Sequence, residues 1–246
     1  LIVTFIVLPI LPDRGYGPYG ALNPRSIWLM VVLVSGIGLA TYIALRLAAG
    51  GRHGVLMTGI LGGLLSSTAA TVLYARRSRE SDAMERLAIG VVPLANLVPL
   101  ARIAVIASVV APGLLASLAP VLGAALGGGL AVAAIFLRRV QSVDPVQLES
   151  RNPAEMTTAL RFAAVYAVVL LASAWLSDVA GDRGVYAAAL VSGLLDIDPI
   201  MLSVFNLFVR DQMPAQTAVA AVALAYLANV AFKLSVLGWF NRRLAL

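Results

Sequence analysis

Long apolar runs recur along the chain at about residues 27–49, 55–75, 87–111, 113–137, 158–178, 184–209 and 215–240, separated by short stretches rich in arginine, glycine or proline. A helix needs roughly 20 apolar residues to cross a hydrocarbon layer about 30 Å thick, so each run is long enough to be a spanning helix. Ten-residue segments of alternating polarity, the mark of a membrane barrel, do not occur. The pattern predicts an all-α integral membrane protein with about seven to eight transmembrane helices. The opening Leu1–Leu11 is apolar but too short to span. It has neither a basic leading region nor a small-residue cleavage site, so it reads as the end of a helix rather than as a signal peptide.

One run is interrupted by charge. Asp196 and Asp198 lie in the middle of 184–209, and a regular helix would put Asp196 about 18 Å from Gly184, close to the bilayer midplane. Carboxylates at that depth face a cavity, a partner charge or an ion, which makes the pair a functional-site candidate.

The interruption has a counterpart earlier in the chain. Gly54 and Val55 align with Gly184 and Val185, and the match runs without a gap through Gly63/Gly193, Leu64/Leu194 and Leu65/Leu195. At this constant spacing Ser66 meets Asp196 and Thr68 meets Asp198. Upstream, Asn23-Pro24 is echoed by Asn152-Pro153; downstream, Leu94-Ala95-Asn96 is echoed by Leu227-Ala228-Asn229 after a small shift. Three matches in one order argue for duplication, with a first membrane repeat over 1–112 (its first helix truncated) and a second over 113–246. Four spans per repeat would make the two parallel; if the first segment does not insert, or if 113–137 is re-entrant, the relation becomes inverted.

Two residues are roughly 200° apart around a helix, so Asp196 and Asp198 cannot grip one ion from an unbroken rod. Gly193 weakens the helix, and Pro199 lacks an N–H and clashes with the carbonyl four residues back. A break over Gly193–Pro199 is therefore predicted, with Gly62 and Gly63 as its equivalents in the first repeat. Such a break is tolerated in lipid only where it is buried in protein or lines a cavity. It frees backbone carbonyls beside two carboxylates, an oxygen set suited to a hard cation such as Mg²⁺, Na⁺ or H⁺. Ser66, Ser67 and Thr68 would offer neutral ligands from the paired repeat, joined by Asn96 and Asn229 from the helices that follow. Arg102 and Lys233, deeper in those helices, would balance the aspartates. The competing reading is structural: Asp198 before Pro199 suits an N-cap followed by a first-turn proline, and Ser67 or Thr68 can cap likewise. On that reading the asparagines are interhelical glue and Lys233 snorkels.

Composition agrees with the pattern. The chain is 61% hydrophobic and only 12% charged, with a mean hydropathy of +0.93, outside the range of soluble domains. The net charge of +6 does not indicate nucleic acid, because the arginines follow topology. Counting loops alternately puts Arg14, Arg25, Arg76, Arg77, Arg79, Arg86, Arg138, Arg139, Arg151, Arg161 and Arg210 on one face. Arg46, Arg52, Arg183, Arg242 and Arg243 fall on the other. The first face is then cytoplasmic and the C-terminus external. With no cysteine, disulfides, thiol catalysis and Cys-based metal sites are excluded. His53 reads as a solvated loop residue, and the Arg76–Arg86 stretch as a solvated cytoplasmic loop. Gly123, Gly127, Gly128 and Gly129 have small-xxx-small spacing that favours close helix packing, as at a homo-oligomer interface.

The strings Gly62-Gly63-Leu64-Leu65-Ser66-Ser67-Thr68-Ala69-Ala70-Thr71, Ser192-Gly193-Leu194-Leu195-Asp196-Ile197-Asp198 and Ala228-Asn229 with Lys233 resemble the uncharacterised membrane domain that follows the MgtC domain in MgtC/SapB-family proteins. Leu11-Pro12-Asp13-Arg14 and Asn23-Pro24 fit it too. The resemblance implies a multi-pass protein of the bacterial inner membrane belonging to a Mg²⁺ transport system. It also implies an MgtC-like membrane partner and a role in regulation rather than transport as an alternative. The leading expectation is a cation transporter or channel component that binds Mg²⁺ or another cation and needs no organic cofactor. Its rivals are an anion carrier, favoured by helix N-termini near Arg102 and Lys233, and a non-transporting accessory subunit. Catalysis is not expected: the carboxylates share one segment, and the sole histidine is stranded in a loop.

Overall fold

The computed structural model describes residues 7–18, 22–29, 31–32, 54–137 and 156–241. The expected span at 27–49, His53, Arg46, Arg52, Arg138, Arg139, Arg151, Asn152-Pro153, Arg242 and Arg243 lie wholly or mostly outside them. Among the described residues all regular structure is helical. After short helical stretches at 7–10 and 24–29 come α1 (Gly54–Arg77), α2 (Asp82–Val110), a 3-10 turn (Pro112–Leu114), α3 (Leu115–Leu137), α4 (Met156–Leu195), α5 (Asp198–Val209) and α6 (Ala215–Phe240). Three of these segments are long and apolar enough to cross a membrane: Asp82–Val110, Pro112–Leu137 and Ala215–Phe240. The chain divides into two compact units, one of Leu1–Leu39, Ala107–Ser117 and Pro153–Asn229, the other of Ala40–Ile106, Leu118–Asn152 and Val230–Leu246.

In the second of these units α1 is bent back on itself. Ser66 leaves the helical region (φ −167°, ψ 107°) and splits α1 into halves. A Cβ on Gly59 would touch Val91 and Leu94, one on Gly63 would touch Ala95 and Val98, and the Leu64 carbonyl meets Arg102. Contacts that rise together in number mean the first half runs in the same direction as α2. The second half runs the other way, because Thr71 meets Asn96 while Tyr74 and Ala75 pack with Leu87, Ala88 and Val91. Val55 packs on that same cluster. Both ends of α1 therefore lie beside the start of α2, and its bend lies near α2's middle.

The end of α6 closes onto the mouth of this hairpin. Arg79 Nη2 donates to the Trp239 carbonyl at 2.9 Å, its Nε donates to the Phe240 carbonyl, and its guanidinium stands 5.5 Å over the Phe240 ring. Asn241 adds a bond to Ser78 Oγ at 3.4 Å. A cation on the last carbonyls of a helix satisfies groups that have no partner within it and complements its dipole.

In the other unit α4 is bent at Gly181, whose backbone (φ 55°, ψ −142°) suits only glycine. Gly184 then packs against the Leu176 backbone too closely for a side chain. The half from 182 to 195 lies along α6: the Thr217 hydroxyl donates to Asp182 Oδ1 at 2.8 Å, a Cβ on Gly193 would stand 2.7 Å from Ala225 Cα, and Asn229 Nδ2 donates to the Gly193 carbonyl at 2.8 Å. These two helices run in the same direction, and the gap at 196–197 lies level with Asn229, about 21 Å from the start of α6. The α5 helix has 12 residues and is about 18 Å long. Only residues 210–214 join it to α6, and so short a link reaches at most about 20 Å. Running onward, α5 would end beyond that reach, so it folds back towards the first turn of α6. Phe208, near its end, lies beside Gly113.

The run 184–209 is thus not one span, as its apolarity suggested, but a helical hairpin whose ends share a face. A hairpin adds no crossing, and this changes the assignment of faces. Arg210, expected opposite Arg183, lies at the same end of α6 as Asp182. The C-terminal end of α6, expected opposite Arg79, is bonded to it.

The return of α5 is finished by a Schellman motif: Gln212 N–H reaches the Leu207 carbonyl and Asp211 N–H the Phe208 carbonyl, with Asp211 left-handed (φ 56°). Glycine adopts that conformation without strain. Asp211→Gly is expected to stabilise the protein by about 0.5–1 kcal/mol, read as a rise in melting temperature in detergent; an unchanged or lower melting point would show that the aspartate side chain compensates for the strain.

Candidate functional site

The second hairpin's tip is built by a glycine, a gap and a proline. Gly193 lets α4 press on the Ala225 backbone. The helix then ends at Leu195 and restarts at Asp198, with Ile197 as N-cap. Pro199 sits in the first turn of α5, where its missing N–H costs no hydrogen bond. The capping bond comes from Asp196, not from Asp198: Asp196 Oδ1 accepts the Asp198 N–H at 3.1 Å. Asp198, the first residue of α5, is only 8% exposed, whereas Asp196 is exposed. The helix beyond is enclosed, every residue from Asp198 to Leu207 being buried. Two more polar side chains lie within it. Ser203 Oγ donates to the Pro199 carbonyl at 2.7 Å, and Asn206 Oδ1 is buried without a hydrogen-bond partner.

The C-terminal end of the α4 half is held from α6. Asn229, expected as an ion ligand, spends its amide on the Gly193 carbonyl. The Ser192 hydroxyl reaches the Asp196 carbonyl at 3.4 Å. Among the described residues no group of three or more His, Cys, Asp and Glu side chains is placed to hold a metal. Asp196 and Asp198 therefore offer at most a two-carboxylate site, with backbone oxygens and water completing any coordination. Mg²⁺ is bound by one or two carboxylates in this way, retaining several waters.

The first hairpin's tip has the same plan and different chemistry. Ser66 caps the second half of α1, its Oγ accepting the Ala69 N–H at 3.2 Å; the cap is Ser66, where Ser67 or Thr68 was expected. Arg102 Nη2 donates to the Leu64 carbonyl at 2.5 Å. Lys233, 3% exposed, donates to Ser67 Oγ at 2.8 Å. The Thr71 hydroxyl donates to the Ser67 carbonyl at 2.8 Å and accepts from Asn96 Nδ2 at 3.2 Å. Asn96 also donates to the Val92 carbonyl at 2.9 Å and so ties α1 to α2. Thr68 is half-buried on the same turn, and Gly62 is buried one position before Gly63.

Sequence reasoning gave no role to Ser203 and Asn206, which carry no motif, or to Thr71, which stood only at the end of the resemblance string. It also aligned the helices after the hairpins by their Leu-Ala-Asn strings. The packing has another register. Gly63 rests on Ala95 and Gly193 on Ala225, so Leu94-Ala95 corresponds to Leu224-Ala225 with no shift relative to the glycines. Extending the gapless spacing would have found it.

A family model described as "Domain of unknown function (DUF4010)" matches residues 32–240. An uncharacterized protein of Aquifex aeolicus (strain VF5) is 26% identical over 186 residues, which cover 74% of this chain and 80% of that protein. No solved structure matches.

Proposed function

We propose that this chain, which belongs to the DUF4010 family, is a transporter or channel component for a hard cation, held at the tip of the second hairpin by Asp196 and Asp198. The observation that carries this reading is the pair of carboxylates at a helix break level with the middle of a membrane-length helix, one of them buried. Broken helices at mid-membrane are where transporters place their ions, and an acidic pair without a transport role would be a costly way to cap α5. Mg²⁺ is the favoured ion, because two carboxylates with water suit it; Na⁺ and H⁺ come next. The comparisons match DUF4010 and an uncharacterized protein and not an MgtC/SapB protein, so the ion and a bacterial inner membrane location are part of this proposal.

The two hairpins are read as repeats of one plan, each within its own compact unit. Arg79 holds the mouth of the first, and the Thr217–Asp182 bond holds that of the second. Gly63 on Ala95 and Gly193 on Ala225 supply matched packing at equal spacing. The basic cluster Arg76, Arg77, Arg79 and Arg86 puts the first mouth on the cytoplasmic face.

In proteoliposomes, Asp198→Asn is expected to abolish cation flux. Asp196→Asn keeps an oxygen for the cap and is expected to fold normally while losing most flux. Uptake equal to the unsubstituted chain in both, across Mg²⁺, Na⁺ and H⁺ gradients, rejects the reading. Arg102 and Lys233 at the other tip favour an anion carrier as the second reading, which flux that follows anion identity would establish. A regulatory subunit would instead co-purify with a partner and keep its phenotype without either aspartate.

A further inference from the structure

We infer that α5 holds a bound water on its buried face, bridging Asn206 Oδ1 and Ser203 Oγ, so that the helix returning from the second hairpin's tip is hydrated inside the protein. The site stands without the reading of Asp196 and Asp198 as a cation site. On that reading, Asn206 lies about 12 Å along α5 from Asp198, and its water hydrates the approach to the tip.

The α5 helix is enclosed from Asp198 to Leu207, and most of its side chains are apolar. In these surroundings Asn206, 7% exposed, keeps a buried carbonyl oxygen that has no hydrogen-bond partner among the described residues. Leaving a buried acceptor dry is costly, and ordered water satisfies such groups where no protein donor reaches them. Ser203 stands three residues earlier, and side chains at i and i+3 are neighbours on a helix surface. Its hydroxyl spends its hydrogen on the Pro199 carbonyl at 2.7 Å, so towards a neighbour it offers only lone pairs. Two acceptors thus share a face, and neither brings a hydrogen to the other. A water molecule has two hydrogens to give, and a buried water needs two to four polar partners. A metal ion fits less well. Both oxygens are neutral, and the next polar side chain on the same stripe, four residues beyond Asn206, is the cationic Arg210. Arg210 is half-buried and Asp211 is exposed, so the stripe leads from Asn206 to the hairpin's mouth within about one helical turn.

The test is hydroxyl-radical footprinting by X-ray radiolysis, using the full chain in detergent. A bound water generates the radical in place and so marks side chains that bulk solvent does not reach. Leu202, one turn before Asn206, and Leu87 of α2 are the same residue type, and both are 0% exposed. Leu202 is expected to be oxidised several-fold faster than Leu87, and Asn206→Leu, which removes the orphaned acceptor, is expected to bring Leu202 down to the Leu87 rate. Equal rates in the unsubstituted chain overturn the inference, as does fast oxidation of Leu202 that survives Asn206→Leu. If Asn206→Leu does not fold, Ser203→Ala decides: it removes the other acceptor, and a Leu202 rate as high as in the unsubstituted chain overturns the bridge. The readout is independent of transport. Fast oxidation of Leu202 with normal flux in the aspartate variants keeps the water and removes the cation site; lost flux in those variants with slow oxidation of Leu202 does the reverse.

Discussion

Gly193→Val is expected to destabilise the protein by about 3 kcal/mol or more and to abolish flux, because the atoms it would strike cannot move aside. A Cβ at Gly193 falls 2.7 Å from Ala225 Cα and closer still to the Ala225 carbonyl oxygen. Both belong to the backbone of α6, which is fixed by its own helical bonds. Overpacking that side chains can absorb costs about 1–3 kcal/mol; here the helices themselves must separate. Separation would pull the Gly193 carbonyl from Asn229 and shift the break carrying Asp196 and Asp198. Gly63→Val should do the same to the first hairpin, where Ala95 Cα is also 2.7 Å away. Gly123→Ala and Gly127→Ala on α3 are the controls, since a Cβ there meets nothing within 4 Å. They should be neutral or stabilising by up to about 1 kcal/mol, as alanine favours the helix. Melting in detergent and flux in vesicles check both halves; a Gly193→Val protein that melts normally would mean that the hairpin does not press on α6.

The contrast between these glycines shows what the sequence could reveal. Gly193 and Gly123 are alike as letters, and only the fold distinguishes a close contact from open space. The helical class was legible because apolar runs of this length have few alternatives. The break was legible too, since Gly193 and Pro199 act through local propensity and sterics. Direction was not. An apolar run of 26 residues has the same composition whether it crosses a membrane or enters and returns, and the fold-back of α5 follows only from the shortness of 210–214 and the Thr217–Asp182 bond. Alternation counts each run as a crossing, so a hairpin at 184–209 reverses the face that counting gives to the loops after it. Capping was legible in kind but not in position: a carboxylate and a serine do cap the returning helices, one residue or more before the places that motif rules favoured. The asparagines were singled out by position, yet their partners, a carbonyl and a threonine hydroxyl, depend on helix register that no short motif encodes.

The fold-back makes an all-or-none prediction about faces, and the absence of cysteine makes it simple to test. Single cysteines introduced at Arg183 and at Asp211 bracket the second hairpin, and both positions are exposed. In sealed vesicles of one orientation an impermeant maleimide is expected to label both from the same side. Were 184–209 a span, the two would label from opposite sides, and no degree of partial labelling would reconcile the outcomes.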